Sequence, residues 1–166
     1  MNPAGEQYPP STLPSHTVSE HKTNIQWNRD GKPFTPEGYS RDHEWIFERG
    51  QRLTGSAAPA YLGSAHGVDP EEALVVALSS CHMLTLLAIA AKKGWVIDSY
   101  ADEAVGTLGK NDDGKIALTR VTLRPRIVFA EGKAPDAEGL QRLHHSAHEH
   151  CFIANSVKTE VVIEPQ

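Results

Sequence analysis

Residues 69–94, DPEEALVVALSSCHMLTLLAIAAKKG, decide the fold of this chain. Asp69 is a residue type that caps helix N-termini, Pro70 suits the first helical position, and Glu72 stands where it can close a capping box. Gly94 is a typical residue just past a helix C-terminus. The stretch therefore predicts one long helix that begins after Asp69 and ends at Gly94.

Apolar residues nearly encircle this predicted helix. They are Leu74, Val75, Leu78, Met83, Leu84, Leu86, Leu87 and Ile89. A helix that is apolar on most sides lies in the centre of a core or in an interface. Because Ser79, His82 and Thr85 interrupt the apolar run, the pattern favours a buried helix over a lipid-facing one.

The chain before the helix predicts a flexible segment followed by a β-meander. Residues 1–15 are polar and rich in proline, which favours a flexible N-terminal segment, and residues 16–166 then form a single domain. Alternating apolar and polar positions predict strands at residues 17–28, 39–49 and 51–57.

A β-hairpin is predicted after the helix. Its arms, residues 95–110 and 115–129, flank the dipeptide Asp113-Gly114, which is a strong turn signal. Pro125 predicts an edge strand or a bulge in the second arm, because proline cannot donate to a ladder.

A second helix of about 14 residues should begin at Pro135 and Asp136. Its apolar stripe consists of Leu140, Leu143, Ala147 and Cys151. Helical spacing thus places Cys151 on the buried side, at the C-terminal end. Residues 157–163 alternate as a closing strand, and the order βββ-α-ββ-α-β predicts an α+β fold.

Charge and the character of the N-terminus exclude several classes of protein. A net charge of -5 gives no reason to expect nucleic-acid binding, which favours a basic face. The N-terminus has no basic start followed by an apolar run, so it is not a secretory signal. We therefore expect a cytoplasmic protein with neither nucleic-acid nor membrane partners.

The chain contains two cysteines, Cys81 and Cys151. In a reducing compartment a cysteine pair is more often catalytic, metal-binding or simply buried than a structural disulfide. Each cysteine alone could be a small core residue. Together, two inward-facing thiols on two helices could approach within disulfide range. A peroxide would then oxidise one thiolate to a sulfenic acid, with which the other thiol condenses.

Several segments of the chain resemble the OsmC/Ohr family of osmotically inducible and organic-hydroperoxide-resistance proteins. They are residues 69–74 (DPEEAL), 77–82 (ALSSCH), 147–151 (AHEHC) and 155–156 (NS). The most specific feature is a proline eleven residues before the cysteine, with a glutamate directly after the proline. The resemblance covers about residues 17–164, and His82 after Cys81 resembles the OsmC branch of the family.

The resemblance implies an OsmC-like fold, in which two antiparallel sheets surround a central buried helix, and an intertwined homodimer. It implies a thiol-dependent peroxidase that reduces organic hydroperoxides, and hydrogen peroxide more weakly. A dithiol reductant such as a lipoylated protein would regenerate it, with no metal or other cofactor. Cys81 corresponds to the peroxidatic cysteine, Cys151 to the resolving one, and Glu71 to the glutamate that orients a catalytic arginine.

Arg29 is similar to the catalytic arginine of the family, with Arg49 and Arg52 as alternatives. Glu71 and Cys81 lie ten residues apart on one helix, or about 15 Å along its axis. If Glu71 serves the site around Cys81, it acts from a partner chain or through the long arginine.

Three other readings stay open at this stage. His144 and His148, one helical turn apart, could share a zinc ion, although no third ligand is evident. Cys81 with the adjacent His82 could form a cysteine hydrolase, although neighbouring residues on a helix point in different directions. A dimer with an apolar pocket could also bind a lipid-like ligand or a reactive sulfur species without turnover.

Overall fold

The structure is a computed structural model that describes residues 19–166, which form eight β-strands and two α-helices. The elements are β1 (Thr23–Gln26), β2 (His43–Phe47), β3 (Arg52–Gly55), α1 (Pro70–Lys92), β4 (Ile97–Asp102), β5 (Val105–Lys110), β6 (Ile116–Leu123), β7 (Pro125–Phe129), α2 (Ala137–Glu149) and β8 (Glu160–Ile163). The predicted α+β class is confirmed. The segment predicted to be flexible, residues 1–15, lies outside the described residues.

The three N-terminal strands form the predicted meander. β2 pairs antiparallel with both β1 and β3, so Trp45 lies opposite Ile25 on one side and Leu53 on the other. All of β1 is exposed, and the three strands pack only sparsely against the rest of the chain. We call these strands, together with the loops that join them, the N-terminal sheet and residues 70–166 the body.

Helix α1 begins and ends where the sequence predicted. The Asp69 carboxylate accepts the N–H of Glu72 at 2.7 Å, and the Glu72 carboxylate accepts the N–H of Asp69 at 3.3 Å. These two bonds complete the predicted capping box. After the helix, Gly94 has a φ of +73°, in the left-handed region that favours glycine.

One side of α1 is buried and the opposite side is open. The buried stripe consists of Leu78, His82, Leu86 and Ala90, spaced four residues apart. On the other side, Val76 and Leu84 remain 62% and 60% exposed. Length and composition alone would also suit a membrane-spanning helix, but a capping box and one buried stripe are typical of a core helix. An exposed apolar side is typical of an interface.

The predicted hairpin is divided into two ladders, β4 with β7 and β5 with β6. At the division, the Asp102 carboxylate accepts the N–H of Arg124 at 2.6 Å and the hydroxyl of Ser79 at 2.5 Å. Pro125 comes next and has no N–H to offer a ladder. A side chain thus replaces the ladder at this point and ties the sheet to α1.

The last strand, β8, pairs with β6 in parallel, with Val161 opposite Val121. The sheet β5-β6-β8 is therefore mixed rather than purely antiparallel. The reason is topological, since β6 and β8 are joined by a crossover that contains α2, and parallel strands require such a connection.

Two core clusters share α1. The first consists of Leu86, Ala90, Leu143 and Ala147, and the second of Leu78, Val121 and Leu123. Helix α2 starts at its cap Asp136, which accepts the N–H of Gly139 at 2.7 Å, as the sequence predicted. The first cluster fixes α2 against the middle of α1, and this contact positions the candidate site.

Candidate active site

The structure brings Cys81 and Cys151 together. Cys81 lies in the middle of α1 and is half-buried, whereas Cys151 follows the C-cap of α2 and is only 1% exposed. Both are free thiols, and they lie close enough for Cys81 to influence the titration of Cys151. One chain alone therefore places a partly accessible sulfur against a buried one.

The packing of α2 explains why Cys151 reaches Cys81. Leu143 and Ala147 are buried against α1 and stand eight and four residues before Cys151 on the same side of the helix. The chain turns directly after the cysteine, and the N–H of Ala154 donates to its sulfur at 3.4 Å. The packing of this apolar stripe thus places the Cys151 thiol next to α1.

The environment of Cys151 keeps it protonated. Burial raises the pKa of its thiol to about 11, and the neighbouring Cys81 thiol acts in the same direction. The N–H of Ala154 opposes this shift without overcoming it. At neutral pH, Cys151 is a neutral thiol, and the more accessible Cys81 is the sulfur that a substrate meets first.

A groove of about 690 Å³ opens beside Cys81. Its apolar lining comes from the exposed side of α1, namely Ala77, Leu84, Ala88 and Ile89. Lys92, His150 and Phe152 also line it, and Phe152 is 81% exposed. Within the described residues, no arginine lines this groove.

Glu71 lies elsewhere, at the N-terminal end of α1. It lines a second groove, of about 730 Å³, between α1 and the N-terminal sheet, together with the aromatic residues Trp27 and Tyr39. Arg41 lines the same groove, with its guanidinium 4.0 Å from the centre of the Tyr39 ring and bonded to the Tyr39 carbonyl at 2.8 Å. Sequence reasoning missed Arg41, which lies in a loop just before β2 without any periodic signal.

Within the described chain, none of the arginine candidates from the sequence lines the groove of Cys81 or the groove of Glu71. Arg29 is exposed in the turn after β1 and lines neither groove. Arg49 is exposed between β2 and β3, and Arg52 pairs with Glu44 at 2.6 Å. In the described part of the chain, Glu71 forms no ion pair with any of them.

A buried histidine pair lies next to the thiols. His82 Nε2 and His144 Nδ1 are 3.3 Å apart, and the two rings are within 3° of parallel. Burial lowers the pKa of both imidazoles, that of His82 to about 4, with the nearby His144 and His148 contributing. Both rings of the pair are thus neutral at physiological pH.

The zinc reading finds no support in this arrangement. The Nδ1 atom of His144 faces His82, so it is not paired with His148 around a common metal position. Residues 19–166 contain no group of three potential ligands placed to bind a metal ion. The hydrolase reading is also disfavoured, since His82 turns into the core towards α2, away from the groove beside Cys81.

Comparison with known proteins identifies the family. A family model described as OsmC-like protein matches residues 63–166. This chain belongs to the OsmC-like family. The match covers both cysteines, Glu71 and the histidine pair, but not the N-terminal sheet that carries the arginine candidates.

Solved structures extend the likeness over most of the OsmC-like chain. An OsmC-like protein of unknown function from Vibrio cholerae is 50% identical, with a TM-score of 0.87 over 90% of this chain and all of its own. The organic hydroperoxide resistance protein OhrB of Bacillus subtilis has the same fold at 21% identity, with a TM-score of 0.63 over 90% of this chain and all of its own. The uncharacterized protein YmaD of Bacillus subtilis is 23% identical over 75% of this chain and 84% of its own length.

Proposed function

We propose that this OsmC-like protein is a thiol-dependent peroxidase for organic hydroperoxides. The observation that carries the proposal is the contact between two free thiols, one accessible from a groove and one buried. That arrangement suits an attacking and a resolving cysteine. The organic hydroperoxide resistance protein OhrB has the same fold as this chain, which supports the proposal.

In the proposed cycle, the Cys81 thiolate attacks the outer oxygen of the hydroperoxide, and the O–O bond breaks. The alcohol leaves after taking a proton, and Cys81 becomes a sulfenic acid. The Cys151 thiol then attacks this sulfur, its proton leaves with the hydroxyl as water, and a disulfide forms. A dithiol reductant, for which a lipoylated protein is our candidate, restores both thiols by exchange.

The groove beside Cys81 favours organic substrates over hydrogen peroxide. Its lining is mainly apolar, so an alkyl or aryl group bound there leaves water and strengthens binding. Hydrogen peroxide offers no such group. We therefore expect a preference for organic hydroperoxides in kcat/KM.

We propose that the active form is a homodimer in which a partner chain completes the site. A thiolate at Cys81 requires a nearby cation, yet no arginine of the described chain lines its groove. Lys92 does line it, but it stands eleven residues after Cys81 on α1, or about 16 Å along the helix axis. The exposed apolar side of α1 and the sparsely packed N-terminal sheet are the surfaces that a second copy would cover. Two-fold symmetry would then bring the arginine and Glu71 of each chain to the thiols of the other.

Two arginines are candidates for this role. Arg29 follows from the family resemblance, and Arg41 shares a groove with Glu71. In either case Glu71 would orient the guanidinium through a charge-assisted pair, and the guanidinium would stabilise the Cys81 thiolate. We also propose that the protein acts in the cytoplasm, where reducing conditions keep both thiols available.

A reductant-coupled assay tests the proposed activity. Cumene hydroperoxide and hydrogen peroxide are compared as substrates, with dihydrolipoamide as the reductant, for the unmodified protein and for Cys81→Ser. We expect turnover that depends on Cys81 and favours cumene hydroperoxide. Tight binding of an apolar ligand, without any thiol-dependent turnover, would instead support a non-enzymatic binding protein.

A further inference from the structure

The contact between His82 and His144 is an in-plane hydrogen bond rather than a ring stack. The ring centres are 5.6 Å apart while the facing nitrogens are 3.3 Å apart. When the facing nitrogens of two imidazoles are 3.3 Å apart, 5.6 Å is close to the largest distance that their ring centres can have. The nitrogens therefore lie on the line between the centres, and one ring donates an N–H directly to the lone pair of the other.

This bond joins the two helices that carry the thiols. His82 follows Cys81 on α1, and His144 on α2 lies seven residues, or about two turns, before Cys151, which follows the C-cap of that helix. Both imidazoles are buried, at 1% and 6% exposure. Burial keeps them neutral, which the bond requires, because two protonated rings would present donors to each other.

The surrounding contacts between α1 and α2 are apolar and small-to-medium in size, namely Leu86, Ala90, Leu143 and Ala147. Apolar contacts are non-directional, so they tolerate small shifts of one helix along the other. A hydrogen bond between two rigid rings is directional. It is therefore the contact best able to fix the register of α1 against α2.

The polar pair also leaves a buried atom without a partner. Among residues 19–166, His82 Nδ1 is a buried polar atom that makes no hydrogen bond. Leaving it unpaired is unfavourable, and an apolar residue at position 82 would avoid the problem. Stability alone gives no reason for a histidine at position 82. The pair therefore indicates that the relative position of α1 and α2 matters.

We propose that the His82–His144 hydrogen bond is a positioning device that holds the Cys81 sulfenic acid against the Cys151 thiol during disulfide closure. This inference rests on the proposed peroxidase function. In that step the new S–S bond forms as the S–OH bond breaks, and water leaves with the thiol proton. A small shift between the helices separates the sulfurs and gives a second peroxide time to oxidise Cys81 to the sulfinic acid.

The test separates the two oxidation steps by rapid mixing with cumene hydroperoxide, followed by mass spectrometry. In His82→Leu and His144→Leu we expect the rate of disulfide closure to fall about tenfold, the change expected on losing one directional hydrogen bond. The first oxidation of Cys81 should change less than about twofold, since the groove is intact. The fraction of sulfinic acid per turnover should rise accordingly.

The double variant His82→Leu/His144→Leu distinguishes positioning from simple stabilisation. It replaces both polar groups by apolar ones, so it should regain stability against urea while its closure stays slow. His82→Gln, whose amide can donate to His144, should recover part of the closure rate. His145→Leu, an exposed neighbour on α2, serves as the control and should close like the unmodified protein.

Two results would overturn the inference. Closure at the normal rate in both single variants would show that the bond does not position the sulfurs. Recovery of closure together with stability in the double variant would show that the pair acts through stability alone. Either result would leave the proposed peroxidase intact, whereas full turnover by Cys81→Ser would reject the peroxidase itself.

Discussion

The N-terminal sheet and the body of this protein are built in different ways. The body buries both core clusters and holds the two thiols in contact. The N-terminal sheet carries Arg29 and Arg41, and it leaves large side chains such as Ile25 and Phe34 64% and 70% exposed. One chain therefore brings the two sulfurs together, while the arginines proposed to ionise Cys81 lie on the N-terminal sheet.

The two parts also differ in how they bury apolar surface. Both core clusters of the body pack on α1, and no residue of the N-terminal sheet belongs to either cluster. We therefore expect the stability of the body to depend little on that sheet. Exposed aromatic and aliphatic residues in a connected patch are unfavourable for a free monomer and typical of an interface. The comparison predicts that changes in the body affect the thiol pair directly, whereas changes in the sheet affect only its activation.

The largest effect is expected from the thiols of the body. Cys81→Ser should lower peroxidase turnover by roughly 10³-fold or more, since it removes the nucleophile. Cys151→Ser should reduce one equivalent of hydroperoxide and then stall as the Cys81 sulfenic acid, or consume a second equivalent as Cys81 is oxidised to the sulfinic acid. Reductant-coupled kinetics and mass spectrometry measure both, and equal turnover by Cys81→Ser would contradict the mechanism.

The next effect concerns stability in acid, and it also belongs to the body. Burial lowers the pKa of His82 from its usual 6.5 to about 4, so the folded state favours the neutral ring. The resulting stability is fully present above pH 6.5 and is lost as the pH falls towards 4, by roughly 3 kcal/mol.

Urea unfolding between pH 4 and 7 tests this linkage. In His82→Leu the free energy of unfolding should depend much less on pH over the same range, because the titrating ring is gone. An equally steep dependence in the variant would assign the acid sensitivity to other groups.

A smaller effect is expected from the N-terminal sheet. Replacing the activating arginine by methionine, in Arg29→Met or Arg41→Met, should lower kcat/KM by roughly 10²-fold, as for other preorganised cationic groups. The thiols should still form a disulfide with a chemical oxidant such as diamide. Arg142→Met, on the exposed side of α2, is the matched control. Normal activity in both sheet variants would place the cation elsewhere.

Mixing two inactive variants tests whether the arginine acts across the dimer. If the arginine acts from the partner chain, Cys81→Ser mixed with the inactive arginine variant should regain roughly a quarter of the normal activity, because half the dimers are mixed and each has one intact site. Subunit exchange followed by a kinetic assay measures this recovery. A mixture no more active than its components would locate both groups in one chain.

Local sequence signals predicted the elements that local chemistry controls. Asp69 and Gly94 set the ends of α1, and the apolar stripe of α2 led to the buried position of Cys151. The division of the hairpin was not predictable, because it depends on Asp102 meeting a backbone N–H twenty-two residues away. Such pairings have no periodic signature.

The candidate site was predictable to a similar extent. Both cysteines were found from helix position and family motifs, and the structure places them in contact. The partnership of His82 with His144 escaped sequence reasoning because it spans sixty-two residues, and either histidine alone could be an ordinary core residue. Arg41 escaped because its position depends on stacking against Tyr39 within an irregular loop.

The most direct test is a peroxide titration of the fully reduced protein, followed by intact and peptide mass spectrometry. One equivalent of cumene hydroperoxide should remove two hydrogens from the chain and yield a single crosslinked peptide pair containing Cys81 and Cys151. Oxidation that adds oxygen to Cys81 without any crosslink to Cys151, or no reaction at either thiol, would contradict the account.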